Sequence, residues 1–327
     1  GYFPNSIIVN FSGKNKNKLH FEFFKTTKNS SSKLGVLKIT NAYAIAYIID
    51  GQHRLYGYAN SQYKDSNTIP VVAFDGLDSI EQLQLFMDIN ENQKAVSANL
   101  RLDLEEDLYW DSPVAASRLK ALRSSIIKQI AYSQNGPLYN KISVGEERSI
   151  LSFKPFSTAL LKSGLLPIAR GNKYDESSVL SAMYDVNNHN HSKEMERCKK
   201  KVVQLVNLCY DFVEENYRDI FEREKYFIIS DRGTYAFITL IGSLNTFLIN
   251  KGELNRSSSP KERFELLEKY LDAVLHKISI LTKEDENKYL SLLGAGADVK
   301  WLRLFQSIVN DKYSSYNPED LVDWRER

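Results

Sequence analysis

Short apolar stretches separated by polar runs occupy the first part of the chain. Alternating or continuous apolar positions over a few residues are typical of β-strands, and the intervening runs of Lys, Asn, Ser and Thr are typical of turns. The predicted strands are residues 6–11, 19–24, 34–39, 43–49 and 69–76. Residues 43–49 are apolar throughout, which predicts a central strand, and residues 69–76 predict a further buried strand.

Two helices are predicted among these strands, at residues 53–63 and 78–90. In the second, Ser79 is in the position of an N-cap and Gln82 is in the matching position of a capping box. This helix also has one apolar face at helical spacing. The residues of that face are Ile80, Leu83, Phe86 and Met87.

From about residue 97 the pattern changes to helical periodicity with few interruptions. The predicted helices are residues 98–110, 113–133, 192–223, 234–252, 259–281 and 297–311, and the strongly apolar 234–252 is expected to be central. We therefore predict an α+β protein. A mixed α/β domain of residues 1–97 precedes a larger all-helical domain of residues 98–327.

Composition restricts the classes of function. The 327 residues carry a formal net charge of only +2, so a nucleic-acid partner must be held by a local patch. No apolar run approaches the ~18 residues of a membrane span. No signal-peptide pattern is present either. We expect a cytoplasmic protein with no membrane partner.

The two cysteines, Cys198 and Cys209, lie on one predicted helix. They are about three turns apart, which is too far for a disulfide between them. We expect two buried thiols in a reducing compartment.

A polar cluster follows the fourth predicted strand: Asp50, Gly51, Gln52, His53 and Arg54. Gly51 permits a tight turn, and the next helix would direct its unpaired N–H groups and positive dipole end at the loop. The Arg54 guanidinium suits phosphate oxygens, Gln52 and His53 can donate hydrogen bonds, and Asp50 could orient a neighbour or help hold a metal ion. These residue types suit a phosphate or a nucleotide. A structural alternative has equal weight, in which Asp50 caps the helix and Arg54 forms a surface ion pair.

The stretch IDGQHRLYG, residues 49–57, resembles the signature of the DGQHR-domain family. The best-known class of that family is DndB, from bacterial DNA phosphorothioate (sulfur) modification gene clusters. Residues 1–10, 86–100 and 228–241 resemble the same family, in the expected order. The resemblance implies a DNA-binding protein that represses transcription of modification genes.

The DGQHR family is similar to the ParB/sulfiredoxin fold, in which the corresponding loop grips the phosphates of a nucleotide. ParB proteins carry Gly-Glu-Arg-Arg there and bind CTP, whereas sulfiredoxins carry Gly-Cys-His-Arg and use ATP. The segment Gly51-Gln52-His53-Arg54 is closer to the second pattern. The resemblance therefore implies a bound NTP, most readily ATP, with Mg²⁺. The cysteine is absent here, which excludes the thiol chemistry of sulfiredoxin.

A second cluster, NENQK at residues 90–94, resembles the Glu-Asn-x-Gln-Arg segment of ParB, where the acid and the amide handle magnesium and triphosphate. The resemblance implies that Glu91 and Asn92 bind the metal ion and that Lys94 contacts phosphate. Asp50 and Glu91 would then be the catalytic pair of an NTPase. The segment is one residue shorter than in ParB, and its alternative role is a polar helix end.

Three basic residues of the helical part are candidates for nucleic-acid contact. Lys199 and Lys200 belong to the basic stretch ERCKKK, and Arg232 precedes an apolar helix. Such stretches are more often solvated faces, and Asp231-Arg232-Gly233 is more often a turn and cap.

The sequence leaves three functions open. The first is a DNA-binding regulator of a bacterial DNA phosphorothioate modification system, gated by a nucleotide at residues 50–54. The second is a Mg²⁺-dependent NTPase that acts in DNA modification or phage defence. The third is a non-catalytic scaffold for other DNA-modification proteins. The oligomeric state is open, with a homo-oligomer among the states allowed.

Overall fold

A computed structural model describes residues 6–11, 19–24, 34–40, 45–66, 68–93, 98–145, 148–222, 228–282, 284 and 296–317. The chain separates into two compact units, unit 1 (Gly1–Val96) and unit 2 (Ser97–Arg327). The α+β class predicted from the sequence is confirmed, with small sheets in the N-terminal region and a helical C-terminal part.

Unit 1 contains five strands and two helices in its described residues. Their bounds are β1 Ile7–Phe11, β2 Leu19–Phe23, β3 Gly35–Ile39, β4 Ala46–Asp50, α1 Gln52–Ala59, β5 Val71–Asp75 and α2 Ser79–Gln93. Strand β1 is the middle of a three-stranded sheet in the order β4-β1-β5, antiparallel to β4 and parallel to β5. Strands β2 and β3 form a separate antiparallel hairpin.

Two predictions about these strands were wrong. Strand β4 was predicted to be central, but it lies at an edge of the described sheet, and β1 takes the middle position. Strand β5 was predicted to be buried, but Val71 and Val72 are about half exposed. A continuous apolar run shows that a segment favours β structure, but it does not show which strand pairs on both sides.

The start of α2 also differs from the prediction. Asp78, rather than Ser79, caps the helix, because its carboxylate accepts from the Glu81 N–H at 2.8 Å and the Glu81 carboxylate accepts from the Asp78 N–H at 2.9 Å. The capping box is therefore one residue earlier than predicted. Gln82 instead donates to the Leu77 carbonyl oxygen at 3.2 Å.

Asn10 of the middle strand β1 forms hydrogen bonds with Leu77, in the turn that precedes α2. Its buried amide donates to the Leu77 carbonyl oxygen at 3.0 Å and accepts from the Leu77 N–H at 3.1 Å. Both hydrogen-bonding functions of the side chain are used, which offsets the cost of burying it.

Unit 2 is mainly helical, but its described residues also include four strands of two residues each. The elements are α3 Ala98–Tyr109, α4 Ala115–Tyr132, β6 Ile142–Ser143, β7 Leu151–Ser152, α5 Phe153–Lys162, β8 Ala169–Arg170, β9 Lys173–Tyr174, α6 Glu176–Ser181, α7 His191–Asn216, α8 Arg218–Glu222, α9 Asp231–Asn250, α10 Pro260–Ser279 and α11 Ala297–Lys312. The prediction of an all-helical domain was therefore wrong in detail, since β6–β7 and β8–β9 form two small ladders.

The long helix predicted at residues 192–223 ends earlier, because α7 stops at Asn216 and α8 begins after Tyr217. The central position of the apolar segment is confirmed. Helix α9 is buried along most of its length and packs against α5, α10 and α11. A Cβ on Gly242 would lie 1.9 Å from the Ser163 carbonyl oxygen, so only glycine permits this contact between α9 and the end of α5.

The two cysteines are buried and unbridged, as predicted. Burial raises the pKa of both thiols, which keeps them protonated and unreactive at neutral pH. Among the described helices, none combines the length and the apolarity needed to cross a membrane.

Candidate functional site at the end of strand β4

The site begins where β4 ends and α1 starts, with one residue between them. Gly51 is that residue, and it is buried with φ at 93°, in the left-handed region. A Cβ there would lie 3.1 Å from Ile7 Cγ1 and 3.2 Å from Arg54 Nη2. Glycine is therefore required both for the backbone angle and for the close approach of β1.

Arg54 and Asp50 form an ion pair across this turn. Arg54 Nη2 donates to Asp50 Oδ2 at 2.6 Å, and the two side chains are only 22% and 18% exposed. Asp50 does not cap the helix, because Gly51 is the N-cap residue and no side chain caps α1. Of the roles considered for Asp50, the geometry favours orienting the guanidinium beside the first turn.

Gln52 and His53 occupy the first turn of α1 and are both exposed. The Gln52 side-chain amide donates to the Tyr56 hydroxyl at 3.3 Å. The structure thus brings all five residues 50–54 together on one turn, with the arginine held in place and the imidazole open to solvent. The amides of an uncapped helix N-terminus attract anions, so the turn suits phosphate chemistry.

An open groove of about 470 Å³ lies next to this turn, between β4 and α2. It is lined by Tyr47, Ile48, Ile49, Ser79, Gln82, Leu83 and Phe86. Leu83 and Phe86, two residues of the apolar face predicted for α2, are only partly buried, and Ile80 of the same face is 51% exposed. A groove of this kind depends on the spacing between two elements, which no local sequence pattern reports.

The second predicted cluster lies at the end of α2. Residues 90–93 continue this helix, which confirms a helix end there, but the side chains of Glu91 and Asn92 are outside the described part of the structure. Lys94 lies outside the described residues altogether. Their metal and phosphate roles stay predictions. Within the described residues, no group of three His, Cys, Asp or Glu side chains could hold a metal ion.

The basic candidates of unit 2 differ in their surroundings. Lys199 is mostly buried, forms an ion pair with Glu196 at 2.6 Å, and lies 5.2 Å above the centre of the Trp110 ring. Lys200 is exposed. Arg232 is partly exposed in the first turn of α9, where Ser230, rather than Asp231, is the N-cap.

A comparison with protein-family models found a similarity in the N-terminal part of the chain. Residues 1–136 match the DndB family. The DndB family is described as DNA-sulfur modification-associated. The DndB match contains the whole of unit 1, including residues 50–54, together with α3 and α4 of unit 2.

The predicted resemblance to DndB is thereby confirmed over residues 1–136. A search of curated proteins and a search of solved structures each found no match. The likeness to the ParB/sulfiredoxin fold stays a prediction.

Proposed function

We propose that this protein is a DNA-binding regulator of a bacterial DNA phosphorothioate modification system, and that a nucleotide bound at residues 50–54 controls its hold on DNA. The DndB match over residues 1–136 supports the connection with DNA sulfur modification. The carrying observation for the nucleotide is the Asp50–Arg54 pair, fixed at 2.6 Å beside the uncapped start of α1.

The proposed mechanism uses positioning and charge. The first-turn amides of α1 face the phosphates, and the Arg54 guanidinium contributes a permanent charge that Asp50 holds in one orientation. His53 and Gln52, which are exposed, supply further donors. At the end of α2, Glu91 and Asn92 would hold Mg²⁺ and Lys94 would contact phosphate. Mg²⁺ would neutralise triphosphate charge, which is most of what phosphoryl transfer requires of a site.

Calorimetry with ATP, CTP and GTP, each with and without Mg²⁺, tests the nucleotide. Arg54→Ala should weaken binding by at least about tenfold, because it removes a charged donor worth roughly 1.5–3 kcal/mol. Arg218→Ala is a matched control, since Arg218 also forms an i,i+4 ion pair, at 2.7 Å with Glu222. Glu91→Gln should reduce the effect of Mg²⁺. Failure of all three nucleotides to bind contradicts the proposed gating.

Gel shifts across a salt series test DNA binding. Phosphate contacts make affinity fall steeply with salt, so a response that is flat in salt contradicts them. Lys200→Ala and Arg232→Ala should weaken binding more than Lys199→Ala, because Lys199 is already engaged by Glu196 and Trp110. Nucleotide turnover in the same samples would favour the NTPase alternative. Capture of other modification proteins without any DNA or nucleotide effect would favour the scaffold.

A further inference from the structure

The groove between β4 and α2, which we call the β4–α2 groove, takes no part in the phosphate contacts proposed above. The residues that line it all belong to unit 1 and lie outside the turn at residues 50–54. Its volume of about 470 Å³ is in the range of pockets that hold small organic ligands, and it is far larger than a phosphate group requires. None of the described residues that line it is charged. The groove therefore suits an uncharged part of a ligand.

Strand pairing shows which end of the groove meets the turn. Ala46, at the start of β4, is opposite Phe11 of β1, and Asp75, at the end of β5, pairs with the same residue. Helix α2 begins after a short connection from β5 and packs against β4. It therefore starts near the beginning of β4 and runs toward Asp50. Phe86, in the second half of α2, lies closer to the turn than the first residues of the helix do.

The walls of the groove suit a flat ring. Tyr47 and Ile49 are two residues apart, so their side chains are on the same face of β4. Leu83 and Phe86 are three residues apart on α2 and share one side of that helix. Tyr47 is 58% exposed, which leaves its ring available for stacking. Bases of every kind stack on aromatic side chains, because each of them has a π-face.

Gln82 gives the groove a hydrogen-bonding group of fixed polarity. Its Nε2 donates to the Leu77 carbonyl oxygen at 3.2 Å, and the reversed amide would place two carbonyl oxygens against each other. Oε1 is therefore the atom that this side chain presents as an acceptor. An amino group on a ligand would satisfy that acceptor, whereas a carbonyl oxygen in the same place would leave two acceptors facing each other.

We propose that the β4–α2 groove binds the base of a nucleotide, and that Gln82 selects an amino-substituted base over an oxo-substituted one. Adenine and cytosine are of the first kind, and hypoxanthine and uracil are of the second. The base site rests on the proposed function, because the phosphates must be held at residues 50–54 for the base to reach the groove. The order along β4 is then phosphates at the turn, ring beside Ile49 and Phe86, and base edge at Gln82.

Calorimetry of the full chain in Mg²⁺ with three ligands separates the base from the phosphates. The ligands are ATP, ITP, in which hypoxanthine replaces adenine, and inorganic tripolyphosphate, which has no base. ATP should bind at least about tenfold more tightly than ITP, because the oxo group opposes Gln82 Oε1. ATP should also bind more tightly than tripolyphosphate. Equal affinities for ATP and tripolyphosphate overturn the base site alone, whereas binding of none of the three overturns the proposed nucleotide site as well.

Tyr47→Ala tests the stacking wall. This variant should bind ATP at least about fivefold more weakly and tripolyphosphate as wild type does. Tyr63→Ala is the matched control, since Tyr63 is 52% exposed in the same unit and does not line the groove. Its affinities should equal those of wild type. Both tyrosines are more than half exposed, so both variants should fold. An ATP affinity of Tyr47→Ala equal to that of wild type overturns the proposal.

Gln82→Leu tests the selection of the base. It should lose most of the preference for ATP over ITP while its affinity for tripolyphosphate stays unchanged. Gln84→Leu is the matched control, because Gln84 is exposed on the same helix and does not line the groove, and it should keep the preference. A wild-type preference in Gln82→Leu overturns selection by this residue. Arg54→Ala should instead weaken all three ligands, so loss of the phosphate contacts and loss of the base site give different patterns.

Discussion

The two units of the chain bury their side chains in different ways. In the described part of unit 1, the buried hydrophobic side chains are Ile7, Phe11, Ile49 and Met87. Unit 2 instead contains one large hydrophobic cluster that joins α4, α5, α7, α9, α10 and α11. Unit 2 thus has an extensive hydrophobic core, whereas unit 1 carries the polar turn at residues 50–54 at the end of a strand in a small sheet.

The β2–β3 hairpin of unit 1 is an example of this difference in side-chain burial. Phe21, Phe23, Leu37 and Ile39 lie on one face of the hairpin and are all at least 37% exposed. Comparable apolar side chains in unit 2, such as Phe153 and Phe156, are fully buried. Equal hydrophobicity in the two units therefore does not lead to equal burial, because a two-stranded ribbon covers only itself.

The largest effect is expected in the core of unit 2. Phe237 is fully buried on α9, with its ring centre 5.2 Å from that of Tyr210. Phe237→Ala should reduce the free energy of unfolding by about 3–5 kcal/mol, since it removes buried surface and leaves a cavity. Urea unfolding followed by circular dichroism measures this. Ile80→Ala, on the exposed side of α2, should change it by less than about 0.5 kcal/mol, and similar values for both would refute the contrast.

A smaller loss in the free energy of unfolding is expected when a side chain is placed in the close contact between α9 and the end of α5. Gly242→Ala places a methyl group 1.9 Å from the Ser163 carbonyl oxygen, so α9 must shift and the loss should be about 1–3 kcal/mol or more. Gly57→Ala, on the exposed side of α1 with nothing within 4 Å, should stabilise by about 0.5–1 kcal/mol. The opposite signs in urea unfolding are the outcome to check.

The next largest loss of stability is expected at the turn between β4 and α1, which contains Gly51. Gly51→Ala should cost about 1–2 kcal/mol, because a side chain is strained at a φ of 93°. Gly76→Ala has a similar φ, 85°, but nothing within 4 Å of the new Cβ, so it isolates the strain from the contact with Ile7. Hydrogen exchange of the β4 amides should accelerate more for Gly51→Ala. Equal acceleration would show that the contact contributes nothing.

The smallest effect concerns a charge on α7. Burial, with Glu215 and Glu214, raises the pKa of Asp211 to about 6. A raised carboxyl pKa in the folded state makes the contribution of this group to stability greatest below its unfolded pKa of 3.8 and lost as the pH rises through about 6. Asp211→Asn should therefore stabilise the protein above pH 6, by only about 1 kcal/mol because the side chain is partly solvated.

Thermal unfolding at pH 4 and at pH 8 measures this difference. Little change is expected at pH 4, where the wild-type side chain is already largely protonated. Glu176→Gln is a control at an exposed carboxylate in α6. A stabilisation of Asp211→Asn that is the same at both pH values would show that ionisation of Asp211 is not its cause.

The sequence by itself determined the class of the fold and the members of the polar turn. Strand and helix periods are local properties, so β1 to β5 and the apolar helix α9 follow from the order of residues. The pentapeptide at residues 50–54 carried the resemblance to the DndB family for the same reason, since five adjacent residues stay together in any fold. Cys198 and Cys209 were also correctly predicted to be unbridged, from spacing alone.

Only the tertiary structure decided which partners these elements meet. It placed β1, rather than β4, in the middle of the sheet, and it paired Arg54 with Asp50 instead of leaving Asp50 as a cap. It also brought the rings of Tyr174 and Tyr184 together, with centres 6.5 Å apart, from separate elements of the chain. Such contacts depend on distances between elements, and no periodicity within one segment contains that information.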